Sequence, residues 1–527
     1  MTAMTAPKPE YDVVVIGSGF GGSINALRLA QAGKSVAVLE RGRRWAAGQF
    51  PRDTTDVDTV FWRWPKKSGA RGLYELRFFS GVSAVVASGV GGGSLVYANI
   101  HIRPDADVFD DERWPRTLTR ASLDPYYDRV ATALGVSPVP TATPIPKRDA
   151  LHDVAKKLGR PVFDPDQAVS WDKCVRCSQC EFGCQHGAKR TLDLTYLAEA
   201  EKLGAEVLPG LCVTSIERAG KGYRVHYRDV ASGEDASVLG ARVVVAAGTI
   251  GTNELLLRCR DVSRTLPNLS PRLGEGYSAN GDFLGNIENS GRNLHPWDGP
   301  DVTSVVRYKN GDANGTKATN GNDGAHFTIA APGFTRGVTS VLASLGQPHL
   351  NWVRFIAPLL RSSLGGVVPW MFGRGMLAKP LWIPEPNAGD PARMINLFAI
   401  GRDNANGRFR MNGAGTLDLE WDYAGENRAL IEAMTSAMDD IARGLGGTFA
   451  PLALWSAFER LLTVHSLGGC RLGESAEKGV VSEFGEVFGY PGLFVADGSV
   501  IPTAIGLHPV MTIAAVCERI AERVAAS

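Results

Sequence analysis

Two groups of residues in this chain of 527 have the types and spacing to do chemistry. The first is Gly17-Ser18-Gly19-Phe20-Gly21-Gly22, a G-x-G-x-x-G run. In such a run Gly17 allows a tight turn, Gly19 lets backbone approach a pyrophosphate, and Gly22 lets helix pack on strand. The pyrophosphate then rests on the unpaired N–H groups of the helix start. Glu40 follows Gly22 by 18 residues, at the end of an apolar run. That is close to where an acid receives the adenosine ribose hydroxyls, and a carboxylate there disfavours a 2′-phosphate. The second group is Cys174, Cys177, Cys180 and Cys184, with the C-x2-C-x2-C-x3-C spacing of bacterial ferredoxins. The closing proline of that run is replaced by Gln185, and no second such run exists. Four thiolates this close can hold one iron–sulfur cluster or a zinc ion. A reduced loop or a disulfide pair is the plainer alternative.

Both groups need a scaffold. Residues 12–16 (DVVVI) read as a buried parallel strand, 23–32 as a helix ended by Gly33, and 35–39 (SVAVL) as the next strand. Together they make one βαβ unit around the glycine turn. A second glycine turn lies at 89–96. Residues 122–134 predict a helix opened by Ser122 or Asp124, and 192–203 another. Residues 211–217 and 223–229 alternate around Gly220 and Gly222, which predicts a hairpin. Residues 242–247 (RVVVAA) read as a buried strand leading into a helix at 252–258. Residues 45–80 read as loop and short helix, and the polar stretch 286–345 as antiparallel strands and loops. Strand 493–497 and a terminal helix at 510–525 close the chain. The expected fold is α/β: a Rossmann-like domain of residues 8–285 and 462–527, interrupted by an α+β domain at 286–461.

Composition narrows the function. Lys and Arg total 56 against 55 Asp and Glu, so no overall field gathers nucleic acid or an anionic membrane. Glycine, at 61 residues, exceeds the usual ~7% without any short repeat, as in nucleotide-binding α/β folds. The opening MTAMTAPKPE has no apolar core for a secretory leader, and no run of about 18 apolar residues predicts a membrane span. Eight cysteines, four in one loop, suit a reducing cytoplasmic setting. Residues 350–383 carry Trp352, Phe355, Trp370, Phe372 and Trp382 with basic residues and no acid. They read either as a lid in peripheral contact with a membrane or as buried packing with snorkelling basic chains.

Several stretches, in order, resemble the glucose–methanol–choline (GMC) oxidoreductases, most of all their cholesterol-oxidase-like branch. They are Gly89–Asn99, Ala246–Leu257, Gly276–Asp282, Gly401-Arg-Asp403, His465-Ser-Leu-Gly-Gly-Cys470, Gly489–Pro502 and Gly506-Leu-His-Pro509. The resemblance implies FAD as cofactor. Gly17, Gly19, Gly22 and Glu40 would hold its adenosine half, with Val213 near the adenine. Gly91, Gly92, Ser94 and Asn99 would lie along the diphosphate and flavin, Asp497 near the ribityl chain, and Pro509 and Val510 at the pyrimidine end of the ring. His465 and His508 fall at family active-site positions, His465 as base or hydrogen-bond partner of the substrate hydroxyl and His508 as a second ligand of the same oxygen that stabilises charge beside the flavin. Imidazole suits that work near neutral pH. Position 508 is usually asparagine in cholesterol oxidases, and His-Ser replaces the usual His-Pro at 465–466. Residues 325–331 (AHFTIAA) carry no acid, so double-bond movement is not expected. The implied reaction removes a hydride from a CH–OH group of a bulky apolar alcohol, with molecular oxygen or an electron-acceptor protein downstream. Alternatives are a sugar or glycoside oxidoreductase of the same family, and a flavin/iron–sulfur electron-transfer or redox-sensing protein.

Overall fold

The computed structural model describes residues 7–51, 57–62, 72–140, 142, 144–309, 325–334 and 390–527. Strand Glu10–Ile16 lies inside a seven-stranded sheet, parallel to Val36–Glu40 on one side and to Asp235–Val245 on the other. Val13, Val14, Val15, Val243, Val244 and Val245 are fully buried. A strand covered on both faces must be apolar at every position, which is why these runs do not alternate. Each such side chain contributes about 1.5–3 kcal/mol of burial. Leu493–Val495 adds in parallel beside Val243–Val245, so the far end of the sequence completes the sheet. The hairpin Leu211–Ala219 and Gly222–Asp229 extends it antiparallel, as the alternation predicts.

Helix Phe20–Gln31 packs against the C-terminal helix Val510–Ala526, and Arg28 grips the fully buried Glu518 through two bonds of 2.7 Å. Tyr196 donates to the same carboxylate at 2.8 Å. A buried carboxylate is tolerable only when paired this way.

A second, antiparallel sheet runs Thr448–Pro451, Phe283–Glu288, Ile395–Gly401, Phe327–Ala330, Val305–Tyr308 and Val162–Phe163. Helix Arg428–Gly444 contacts its strands. Its last strand is borrowed from the N-terminal part of the chain.

Local expectations differ in places. The helix expected at 122–134 begins at Arg120, because Thr119 and Ser122 cap each other reciprocally, and Pro125 sits within it. Helix 192–203 is confined to Tyr196–Lys202, and helix 252–258 starts earlier, at Gly248, and ends in a π turn, Arg258–Val262. The stretch 45–80 holds a strand, Tyr74–Phe78, paired with Val82–Ala87. The aromatic segment 350–383 lies outside the described residues.

Candidate active site

One cavity of about 730 Å³ runs from the glycine turn to the two histidines. At its dinucleotide end, helix Phe20–Gln31 starts at Gly19 with no side-chain cap, leaving first-turn N–H groups for an anion. The glycines have separate reasons. A Cβ on Gly17, whose φ is +93°, would lie 2.4 Å from the Ala246 carbonyl oxygen, and one on Gly22 only 1.9 Å from that of Gly17. A Cβ on Gly19 would meet no protein atom within 4 Å; it would project into the open cavity. Gly92 packs directly on Gly19, which joins the two glycine turns. Glu40 accepts from the Ser18 N–H (3.0 Å) and hydroxyl (2.6 Å) and from the Gly42 N–H (2.8 Å) while lining the cavity. Bare backbone, an uncapped helix and an acid at the second strand's end fit an FAD diphosphate and ribose.

Val213, Asp497, Pro509 and Val510 also line this cavity. Asp497 accepts from the Gly248 N–H, Thr252, and Ser499 through both N–H and hydroxyl, tying the start of one helix to the C-terminal segment. Burial pushes its carboxyl up. Pro509 is the N-cap of the terminal helix, and Pro509, Val510 and Ile513 line the cavity, so the positive end of that helix faces it.

Gly22, Gly91, Ser94 and Asn99 do not line it. Ser94 donates to the Gly91 carbonyl (2.7 Å) and accepts from the Leu192 N–H (3.0 Å), which shapes the second glycine turn from behind. Asn99 is fully buried with φ +66°, and its side chain borders a separate small cavity.

Cys174, Cys177, Cys180 and Cys184 line that same small cavity. Among the described residues, however, no three His, Cys, Asp or Glu side chains converge as a metal requires. The loop between the cysteines turns at two left-handed residues, Arg176 and Ser178. Burial pushes the Cys174 and Cys177 thiols up and that of Cys180 to about 12. Beside them Glu181 lines the main cavity, and burial and the neighbouring Asp301 push its carboxyl well up.

At the other end His465 and His508 stand edge to face, ring centres 5.2 Å apart. Asp282, fully buried, lies 2.8 Å from His465 Nδ1. Its other oxygen accepts from the Val464 N–H (2.9 Å), the His465 N–H (3.2 Å) and the Thr463 hydroxyl (2.9 Å). A carboxylate so placed fixes the His465 proton on Nδ1 and leaves the Nε2 lone pair free. Phe398 stacks on the His465 ring at 5.3 Å and excludes water from that face. Burial and His465 hold the His508 imidazole well below its usual range.

The loops that carry these groups are bound to one another. Asn280 accepts from the Ile505 and Gly506 N–H groups and donates to the Leu507 carbonyl, setting the approach to His508. Asp403 accepts from Ser278, Ala279, Gly281 and Ala405 and so fixes the turn that presents Asp282. Burial raises its carboxyl to about 6. The roles of Asp282, Asn280 and Asp403 are not evident in the sequence; the signal there is that the stretches holding them, 276–282 and 401–403, are among those with the family resemblance.

Profiles of GMC oxidoreductases match residues 11–260 and 404–517. A cholesterol oxidase of Mycobacterium tuberculosis is 30% identical over 98% of this chain and 91% of its own length. One from Acinetobacter baumannii is 27% identical over 98% and 94%. A long-chain-alcohol oxidase of Arabidopsis thaliana is 25% identical over 95% of this chain and 65% of its own. Pyridoxine 4-oxidase from Mesorbium loti shares the fold, with a TM-score of 0.64 at 17% identity over 97% of this chain and 98% of that one. With the glycine cradle and the histidine pair at opposite ends of one cavity, these matches show that the chain belongs to the GMC oxidoreductases, FAD-dependent enzymes that oxidise alcohols.

Proposed function

We propose that this enzyme oxidises a bulky apolar alcohol, with His465 Nε2 taking the hydroxyl proton and His508 donating to the same oxygen. The observation that carries the reading is Asp282, which leaves a lone pair on His465 facing a largely apolar chamber. Val302, Pro332, Phe398, Leu452, Leu462 and Val464 line that chamber and favour a sterol, terpenoid or long-chain skeleton over a sugar. The relatives named for cholesterol and long-chain alcohols support the same class.

Bound FAD supplies the hydride acceptor. The chain's own residues hold the carbinol oxygen between two imidazoles, keep one of them a base, and exclude water with Phe398. The N-terminus of helix Val510–Ala526 faces the site with its positive end, which stabilises negative charge developing there. We assign the cofactor to residues 8–285 and 462–527 and the chamber largely to 286–461. Molecular oxygen is the acceptor we favour, by likeness to the oxidases, and the cytoplasm the setting.

The test is anaerobic bleaching of the flavin by cholesterol, a long-chain alcohol and glucose. Bleaching by either apolar alcohol but not by glucose is expected. Bleaching by glucose alone would move the enzyme to the sugar oxidoreductases, and bleaching by none would leave a redox-sensing flavoprotein.

A further inference from the structure

The chamber floor is the antiparallel pair Phe283–Glu288 and Ile395–Gly401. Its register places Leu284 opposite Phe398 and Asn286 opposite Asn396. Side chains two apart on a strand share a face. Phe398 stacks on His465, so Asn396 and Asn286 point into the same chamber, and all four residues line it. Leu397 and Ala399, which alternate with them, are fully buried. The floor therefore has an apolar row under the histidines and, one strand step of about 7 Å further on, an amide row.

Asn396 is 6% exposed, and its Nδ2 is buried with no hydrogen-bond partner among the described residues. A buried donor without a partner costs about 1–3 kcal/mol, so its retention calls for a group that satisfies it. Apolar alcohols with a single hydroxyl offer none at that place once the hydroxyl is held by His465 and His508.

We infer that Asn396 is a specificity-determining residue that binds a second oxygen function of the substrate, a hydroxyl or ether about one strand step from the reacting carbinol. Asn286, directly across the pair, shapes the same subsite. The substrate class is then an apolar skeleton oxygenated at two places. This rests on the alcohol-oxidation reading and narrows it.

The test compares kcat/KM for anaerobic flavin reduction by androstanol with that for androstanediols carrying the second hydroxyl on ring B, C or D. Decan-1-ol and its diols form a parallel series. One position in a series should exceed the mono-alcohol by about tenfold, the worth of one buried hydrogen bond that would otherwise be missing. The methoxy analogue at that position, which only accepts, should keep the advantage. Asn396→Leu should bring the diol-to-mono-alcohol ratio near one. Asn396→Asp, closer in shape, serves if the leucine variant does not load flavin; it should lose the methoxy advantage, because the donor has gone. If the mono-alcohols reduce the flavin but no second oxygen helps, or Asn396→Leu leaves the preference intact, the subsite is refuted while alcohol oxidation stands. If no alcohol in either series reduces the flavin, alcohol oxidation itself fails, and the subsite with it.

Discussion

Asp282→Asn should invert the base without disturbing the fold. One Asp282 oxygen accepts from two backbone N–H groups, those of Val464 and His465. An amide nitrogen there would face two donors, so the oxygen of the substituted amide must take that place. Its NH₂ group is then left against His465 Nδ1, where the carboxylate oxygen lies at 2.8 Å. NH₂ donates, so Nδ1 must accept, and the imidazole proton moves to Nε2. The atom facing the substrate changes from a lone pair to an N–H. Loss of a positioned general base costs about 10²–10⁴-fold. The assay is stopped-flow flavin reduction by a fixed alcohol without oxygen, across pH, with flavin content and Tm recorded for both proteins. We expect a loss in that range with flavin content unchanged. Raising the pH should not restore the rate, because the defect is the position of a proton and not an ionisation. A variant within about threefold of wild type, or one rescued at high pH, would refute the tautomer argument.

Two further outcomes follow from the geometry. Burial holds His101 down to about 3, so below its unfolded pKa of about 6.5 the unfolded chain binds a proton that the folded chain does not. Its contribution is complete above that value and erodes as pH falls, by about 2 kcal/mol at pH 5. His101→Gln should therefore flatten the fall of Tm between pH 7.5 and 5, read by scanning calorimetry. Gly22→Ala places a methyl 1.9 Å from the Gly17 carbonyl oxygen, backbone that cannot yield. The variant should be insoluble or emerge with its visible flavin band lost, whereas Gly19→Ala, with no protein atom within 4 Å, should fold and bind FAD more weakly.

The parallel strands and the hairpin are readable because burial on two faces, or on one, writes directly into the residue pattern. Residues 12–16 and 242–247 are continuous valine-rich runs, and 223–229 alternates. Glu40 and the glycine turn are readable because their spacing is set by one βαβ unit. The histidine pair is reached through resemblance alone, since nothing local distinguishes His465 from His226. Asp282 is hidden for a stronger reason. It acts across 183 residues, and such a bond leaves no periodicity at either end. Strand Tyr74–Phe78 escapes notice because its alternation covers only five residues. The cysteine loop is legible as a spacing only, because spacing measures chain separation, and the turns at Arg176 and Ser178, both with positive φ, leave no periodic trace in the sequence.

The central sheet sets a timetable for the newborn protein. Strand Glu10–Ile16 gains its inner neighbour only when Asp235–Val245 exists, and that strand waits in turn for Leu493–Val495. At ribosomal speeds of about 5–20 residues per second, the first strand leaves synthesis roughly half a minute to a minute and a half before the last. Through that interval its valines have no final cover, and the seat for the cofactor cannot close until the terminal helix docks on the first. Flavin capture thus reports the completion of translation, and any ribosome that stops early releases a chain with an exposed valine edge, a natural target for chaperones and proteases.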